Sequence, residues 1–216
     1  MPATPLSDLV VPARTAFVTV EVQDGVVGDA SLVPELARAA EPILPRIAAL
    51  AVAARAAGIP VVHCTVDSRP DGGGGNRNAR LFARLAAPSG GTASAPVRSG
   101  PVRQATVHAM VGEDDGDFIM GRLHGVSPMT STSLDPVLRN LGVTTIVAAG
   151  VSVNVAILGL AFEAVNLGYQ LVLPRDAVAG VDEAYVDAVF KRTLALLATI
   201  TTTEALLGAW ADDAST

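Results

Sequence analysis

Residues 145–170, TIVAAGVSVNVAILGLAFEAVNLGYQ, limit the folds open to this chain more than any other stretch. TIVAAG is a short apolar run with β-branched residues, the pattern of a strand buried on both faces. GVSVN follows as a tight turn, and VAILGLAFEAVNLG supplies about four helical turns stopped by Gly168. In an open α/β sheet, such a strand-turn-helix unit aims the first helical amides at the carboxyl edge of the sheet, where ligands bind. Gly150 to Ala156 are therefore expected to line any site. Yet no obvious nucleophile stands at the start of the helix.

The rest of the chain repeats the alternation. Strands are expected at 15–22, 59–67, 117–120, 144–150, 169–174 and 198–203. Helices are expected at 39–57, with Pro42 and Pro45 in the first turns and Gly58 at the end, at 76–87, with Leu81, Phe82 and Leu85 on the apolar face, and at 134–142. VDEAYVDAVFKRTLALLA and TEALLGAW supply the last ones. Residues 1–14 read as a proline-rich arm, 23–34 and 68–75 as loops, and 212–216 as a tail. Residues 87–116 form an irregular stretch of the length that is usually functional or mobile. One domain, 15–211, remains, and its alternating elements imply a parallel sheet covered on both faces.

A length of 216 residues suits one domain with a sizeable core. The mean hydropathy of +0.44 is high. No apolar run approaches the ~18 residues of a membrane span, because Pro45, Arg46 and Arg55 break the nearest candidate, 43–59. The first residues lack the basic segment and apolar core of a secretory signal. The lone Cys64 has no partner for an internal disulfide, so a cytoplasmic location is expected. A formal charge of −6 and a pI of about 5.0 argue against nucleic acid or an anionic membrane as partner.

Residues 150–157, GVSVNVAI, ahead of a helix that ends in Gly168-Tyr169, resemble the motif of the isochorismatase-like hydrolases, also called the cysteine hydrolase superfamily. Its usual form is G-V-A-T-D-x-C-V. The family's nucleophilic cysteine falls on Ala156, whose methyl group cannot attack a carbonyl. The resemblance extends from Thr15 to Leu207 in the order and spacing of blocks. It implies a three-layer Rossmann-like α/β fold, with a six-stranded, mainly parallel sheet and helices on both faces, and a homodimer or higher homo-oligomer. The family's catalytic aspartate, in I-D-x-Q, falls on Glu21 of Val20-Glu21-Val22-Gln23. Its block S-A-F-x-G-T-x-L-D is met at Ser127, Thr132, Leu134 and Asp135. Counting back from Ser127 puts the family's lysine near Leu123, and Arg122 fits only with a one-residue shift. The usual Asp-Lys-Cys triad thus becomes Glu21, Arg122 and Ala156. The resemblance also implies a cis peptide at Val151–Ser152, with nearby backbone amides as an oxyanion hole.

Glu21 interrupts an otherwise apolar strand, where an unpaired charge is costly, and a carboxyl group there can act as general acid or base. Arg122 cannot shuttle a proton near neutral pH, but it can hold a carboxylate or an oxyanion, or pair with Glu21. His124 reads either as a proton shuttle or as a loop histidine bonded to backbone. Gln23, Arg80, Val151, Ser152 and Ala156 are the expected substrate-binding set. Arg80, like Arg77, reads equally as part of a solvated helix face. Ser152 as a replacement nucleophile has no histidine tied to it, and Asn154 reads as a helix cap. His63 and Cys64 are neighbours on a strand, point to opposite faces and make no dyad, so Cys64 reads as packing. Nicotinamidases of the superfamily hold a metal through an Asp and histidines after the second strand. DSRPDGGGGNRN has no histidine, so no metal and no other cofactor is expected. The function expected is hydrolysis of a small anionic molecule by acid-base rather than cysteine chemistry, with enol-ether cleavage as one form. The alternative is an inactive member serving as a small-molecule binding or structural oligomer subunit.

Overall fold

A computed structural model describes residues 4–69, 72–86 and 105–213. Six strands, β1 (Thr15–Val20), β2 (Val61–Val66), β3 (Phe118–Arg122), β4 (Thr145–Gly150), β5 (Gln170–Pro174) and β6 (Thr199–Thr201), form one sheet in the order β3-β2-β1-β4-β5-β6. Every neighbouring pair is parallel. The order reverses between β1 and β4, which makes their carboxyl ends the switch point where an open α/β sheet leaves a crevice.

Strand alternation sorts the core into two layers. Val18, Val20, Cys64 and Ala148 face the helices Leu134–Asn140, Leu158–Asn166 and Glu183–Arg192. Phe17, Val61, Val147 and Ala149 face the helices Leu44–Ala56 and Thr203–Asp213. No helix among the described residues is long and apolar enough to cross a membrane.

Several boundaries differ from the sequence expectations. The helix expected at 39–57 is broken into Pro34–Ala40, a 3-10 turn Glu41–Ile43 and Leu44–Ala56, because Pro42 and Pro45 lack the N–H groups that a continuous helix needs. Residues 4–14 are not an arm. They fold into two short turns, Leu6–Leu9 and Pro12–Arg14, and bury Val10, whose carbonyl accepts a 3.2 Å bond from Trp210 Nε1. The stretch 23–34 holds a short helix, Asp24–Val27. The helix expected at 76–87 is confined to Arg80–Ala86, and Leu81 is exposed rather than packed. Of the long irregular stretch, 87–104 lies outside the described residues.

The third strand starts at Phe118, one residue later than expected, and runs on to Arg122. Asp117 turns away to bond Arg55 at 2.6 Å and His63 Nε2 at 3.1 Å. On the other side of the His63 ring, Nδ1 lies 2.8 Å from Thr19 Oγ1. Burial holds the pKa of His63 below its ordinary value despite the pull of Asp117. The unfolded chain therefore takes up a proton that the folded chain refuses once the pH falls below ~6.5. We expect the contribution of His63 to stability to decline from that point downward, by at most ~1.4 kcal/mol per pH unit, until the folded pKa is passed. The decline precedes the loss of the Asp117 contribution, whose depressed pKa keeps it in place until still lower pH. Urea titrations across pH 4–8 should show this slope in the parent and not in His63→Gln.

Candidate active site

The site is built where β1, β3 and β4 end. The chain leaves β1 through Glu21, which adopts a left-handed backbone with φ of 56° and donates its N–H to the carbonyl of Cys64 at 2.8 Å. Such a conformation is uncommon for a residue with a Cβ and ends the strand at once. The next residues are clamped on two sides. The side-chain amide of Gln23 bonds both ways to the backbone of Val66, donating to its carbonyl at 2.9 Å and accepting from its N–H at 2.6 Å. Gln23 also bridges Val107, while the N–H of Asp24 donates to Thr106 and that of His108 to Val22. Gln23 was expected to contact substrate. Its amide instead works as an extra rung between the ends of β1 and β2.

Arg122 closes β3 opposite Val66 and is 3% exposed. It shares a strand face with Phe118 and Met120, which places it on the side of Cys64. Its Nη2 donates to Glu21 Oε1 in an ion pair. Nη1 makes a long, 3.5 Å contact with the Thr65 carbonyl. Nε is buried without any hydrogen-bond partner, and among the described residues it is the one such side-chain atom found. At Gly121 the Asp67 carboxylate occupies the place a Cβ would take. A glycine followed by an arginine carries little strand propensity, which is why the strand looked shorter in sequence.

β4 ends at Gly150, whose φ of 118° and close approach to Val20 leave no room for a side chain. The Val151–Ser152 peptide is cis, as the resemblance implied. Val153–Ile157 then form a π-type turn that opens the helix Leu158–Asn166, with the Ile157 N–H donating to the Ser152 carbonyl at 3.1 Å. Asn154 was expected to cap this helix. It is exposed inside the π turn instead, and Ser152 occupies the cap position without a side-chain bond. Val151 and Ala156 are fully buried. Ala156 packs in the same core layer as Val18, Val20 and Cys64.

Burial raises the Glu21 carboxyl above the ordinary carboxylate range, and the charge and hydrogen bond of Arg122 oppose this without cancelling it. Burial likewise pushes the Cys64 thiol up to about 12, with Arg122 pulling it down and Glu21 pushing it up. Cys64 therefore lies within electrostatic reach of the pair, yet its thiolate is strongly disfavoured near neutral pH. Strand register could have revealed this proximity, since Cys64 pairs with Val20 on one side and Met120 on the other. His63 faces the opposite layer, so no dyad exists. Of the remaining expected residues, His124 is exposed in the bend after β3, Arg80 is exposed at the start of its short helix, and Ser152 is half-buried. The structure thus joins Glu21 to Arg122 and leaves His124 and Arg80 outside that contact. Among the described residues no group of three or more His, Cys, Asp or Glu side chains is placed to hold a metal ion.

Residues 15–205 match the isochorismatase domain family. The streptothricin hydrolase of Streptomyces noursei is 32% identical over 77% of this chain and 50% of its own length. The ureidoacrylate amidohydrolase RutB of Methylobacterium radiotolerans is 32% identical over 73% of this chain and 64% of its own. The chain therefore spans only half to two-thirds of these relatives. A cysteine hydrolase from Pseudomonas syringae pv. phaseolicola superposes with a TM-score of 0.76 at 25% identity, covering 95% of this chain and 96% of that one. An N-carbamoylsarcosine amidase from Thermoplasma acidophilum shares the fold at a TM-score of 0.65 and 20% identity, over 88% and 97% of the two chains. With the domain match spanning most of its length, this chain belongs to the isochorismatase family of hydrolase-like proteins.

Proposed function

We propose that this protein hydrolyses a small anionic molecule by acid-base chemistry, without a cysteine nucleophile. The observation that carries the reading is the ion pair of the largely buried Glu21 with the buried Arg122, where β1 and β3 end at the carboxyl edge of the sheet. Arg122 holds an anionic group of the substrate, and Glu21, with its raised pKa, delivers a proton. With an enol ether, the proton goes to the terminal alkene carbon and leaves an oxocarbenium ion. Water adds to that ion, its proton returns to the Glu21 carboxylate, and the hemiketal collapses to a ketone and an alcohol. Such a route forms no covalent enzyme intermediate, which agrees with a methyl group at position 156. The relative named as a ureidoacrylate amidohydrolase suggests amides as a competing substrate class.

A panel of carboxylated enol ethers and simple amides, followed by NMR, tests the reading. Hydrolysis of an enol ether is expected, with the same turnover in Cys64→Ala. Turnover confined to amides and lost in Cys64→Ala would overturn it. One observation favours a second reading, a non-catalytic binding member: the Glu21 carboxylate is tied to Arg122. Ligand binding without hydrolysis of any panel member would establish that alternative.

A further inference from the structure

The buried guanidinium of Arg122 is poorly satisfied. It has one close acceptor, Glu21, one distant acceptor, the Thr65 carbonyl, and an Nε–H with none. Buried polar groups are rarely left so, and an arginine can serve a second carboxylate through its free edge. Its side chain is 1% exposed, whereas that of Glu21 is 16% exposed, so a ligand reaches the guanidinium by moving the Glu21 carboxylate aside.

The charges around Glu21 are few. β3 presents Arg122, and β2 presents Cys64 and, past its end, Asp67. The segment after β1 carries Asp24, the segment that pairs with it carries His108, and the bend after β3 carries His124. Residues 150–157 have no ionisable side chain. Among the described residues, Arg122 is the side chain bonded to the Glu21 carboxylate. One positive charge cannot hold two ionised carboxylates in such a place, because like charges that share a site keep one proton between them.

We propose that a carboxylate-bearing ligand binds at the free edge of the Arg122 guanidinium, displaces Glu21, and is accompanied by uptake of one proton onto Glu21. The inference rests on the acid-base reading of the site and adds how its acid is charged. The substrate's own carboxylate converts Glu21 from an ion-pair partner into a protonated donor. The burial that already raises the Glu21 pKa works in the same direction.

Calorimetric titration with acetate and benzoate, in buffers of different ionisation enthalpy, counts the protons. Uptake approaching one proton per bound carboxylate is expected. Affinity should fall by up to tenfold per pH unit as the pH rises through the interval between the free and bound pKa of Glu21. Glu21→Gln, which cannot take a proton, should bind the same carboxylates with no uptake and no such pH dependence. Arg122→Gln should lose the binding. Carboxylate binding without proton uptake, uptake that persists in Glu21→Gln, or no binding of either carboxylate to the folded parent would each overturn the proposal. The acid-base reading fails on a different result, full turnover by Glu21→Gln, which leaves the proton count untouched.

Discussion

Glu21→Gln is expected to reduce turnover by about 10²–10⁴-fold while the fold and ligand binding survive. That loss corresponds to roughly 3–5 kcal/mol of barrier. Glutamine keeps the shape of the side chain and can still accept a hydrogen bond from Arg122, but it has no proton to give. If Glu21 serves only to neutralise Arg122, the outcome differs. Arg122 is 3% exposed, so loss of its counter-charge should lower stability by roughly 1–3 kcal/mol. Melting, carboxylate titration and turnover measured on one preparation separate the two roles. A mutant that melts, binds and turns over like the parent would defeat both.

Gly150→Ala is expected to destabilise the chain by about 2–6 kcal/mol. The backbone there has a φ of 118°, which residues with a Cβ rarely adopt, and the strain alone is worth roughly 1–3 kcal/mol. The new methyl would also overlap the Val20 carbonyl and lie 2.9 Å from Val22 Cγ2, and such overpacking typically costs about 1–3 kcal/mol more. These neighbours cannot yield easily. Val20 pairs with Gly150 in the sheet, and its carbonyl accepts the Val151 N–H at 3.0 Å. Gly142→Ala serves as the control, because Gly142 also has a positive φ, 72°, but nothing within 4 Å of an added Cβ. The control should lose ~1–2 kcal/mol from its backbone conformation alone. Urea midpoints with unchanged slopes give the comparison. Equal losses at the two glycines would show that the close packing of β4 on β1 is misjudged.

Much of the fold was legible because its signals are local. Apolar β-branched runs located β1, β2, β4 and β5, and Gly58 and Gly168 marked where helices stop, each with a positive φ. The motif at 150–157 pointed to a strand-turn-helix unit that the structure contains. The identity of Ala156, and with it the lack of a thiol there, needed no structure at all. Periodicity failed where a side chain answers to a distant partner. Asp117 looked like part of a strand but is held by Arg55 and His63, 62 and 54 residues away. Val10 looked like part of a loose arm but is covered by Trp210, 200 residues on.

The site divides in the same way. Sequence alone determined which groups are present at the end of β1 and near the end of β3: a carboxylate, Glu21, and a guanidinium, Arg122. It left Arg122 and Leu123 competing for one position, since a shift of one residue turns a strand's side chains to the opposite face. Only the tertiary structure decided which group Arg122 meets, by pairing it with Val66 and so bringing its guanidinium to Glu21, 101 residues earlier. The fate of Gln23 was decided in the same way, because the Val66 backbone that takes up its amide becomes a neighbour only when β1 and β2 pair. Residue type and local pattern are properties of a short segment. Which donor meets which acceptor depends on strand register across the whole sheet, and that is set only when the core closes around it.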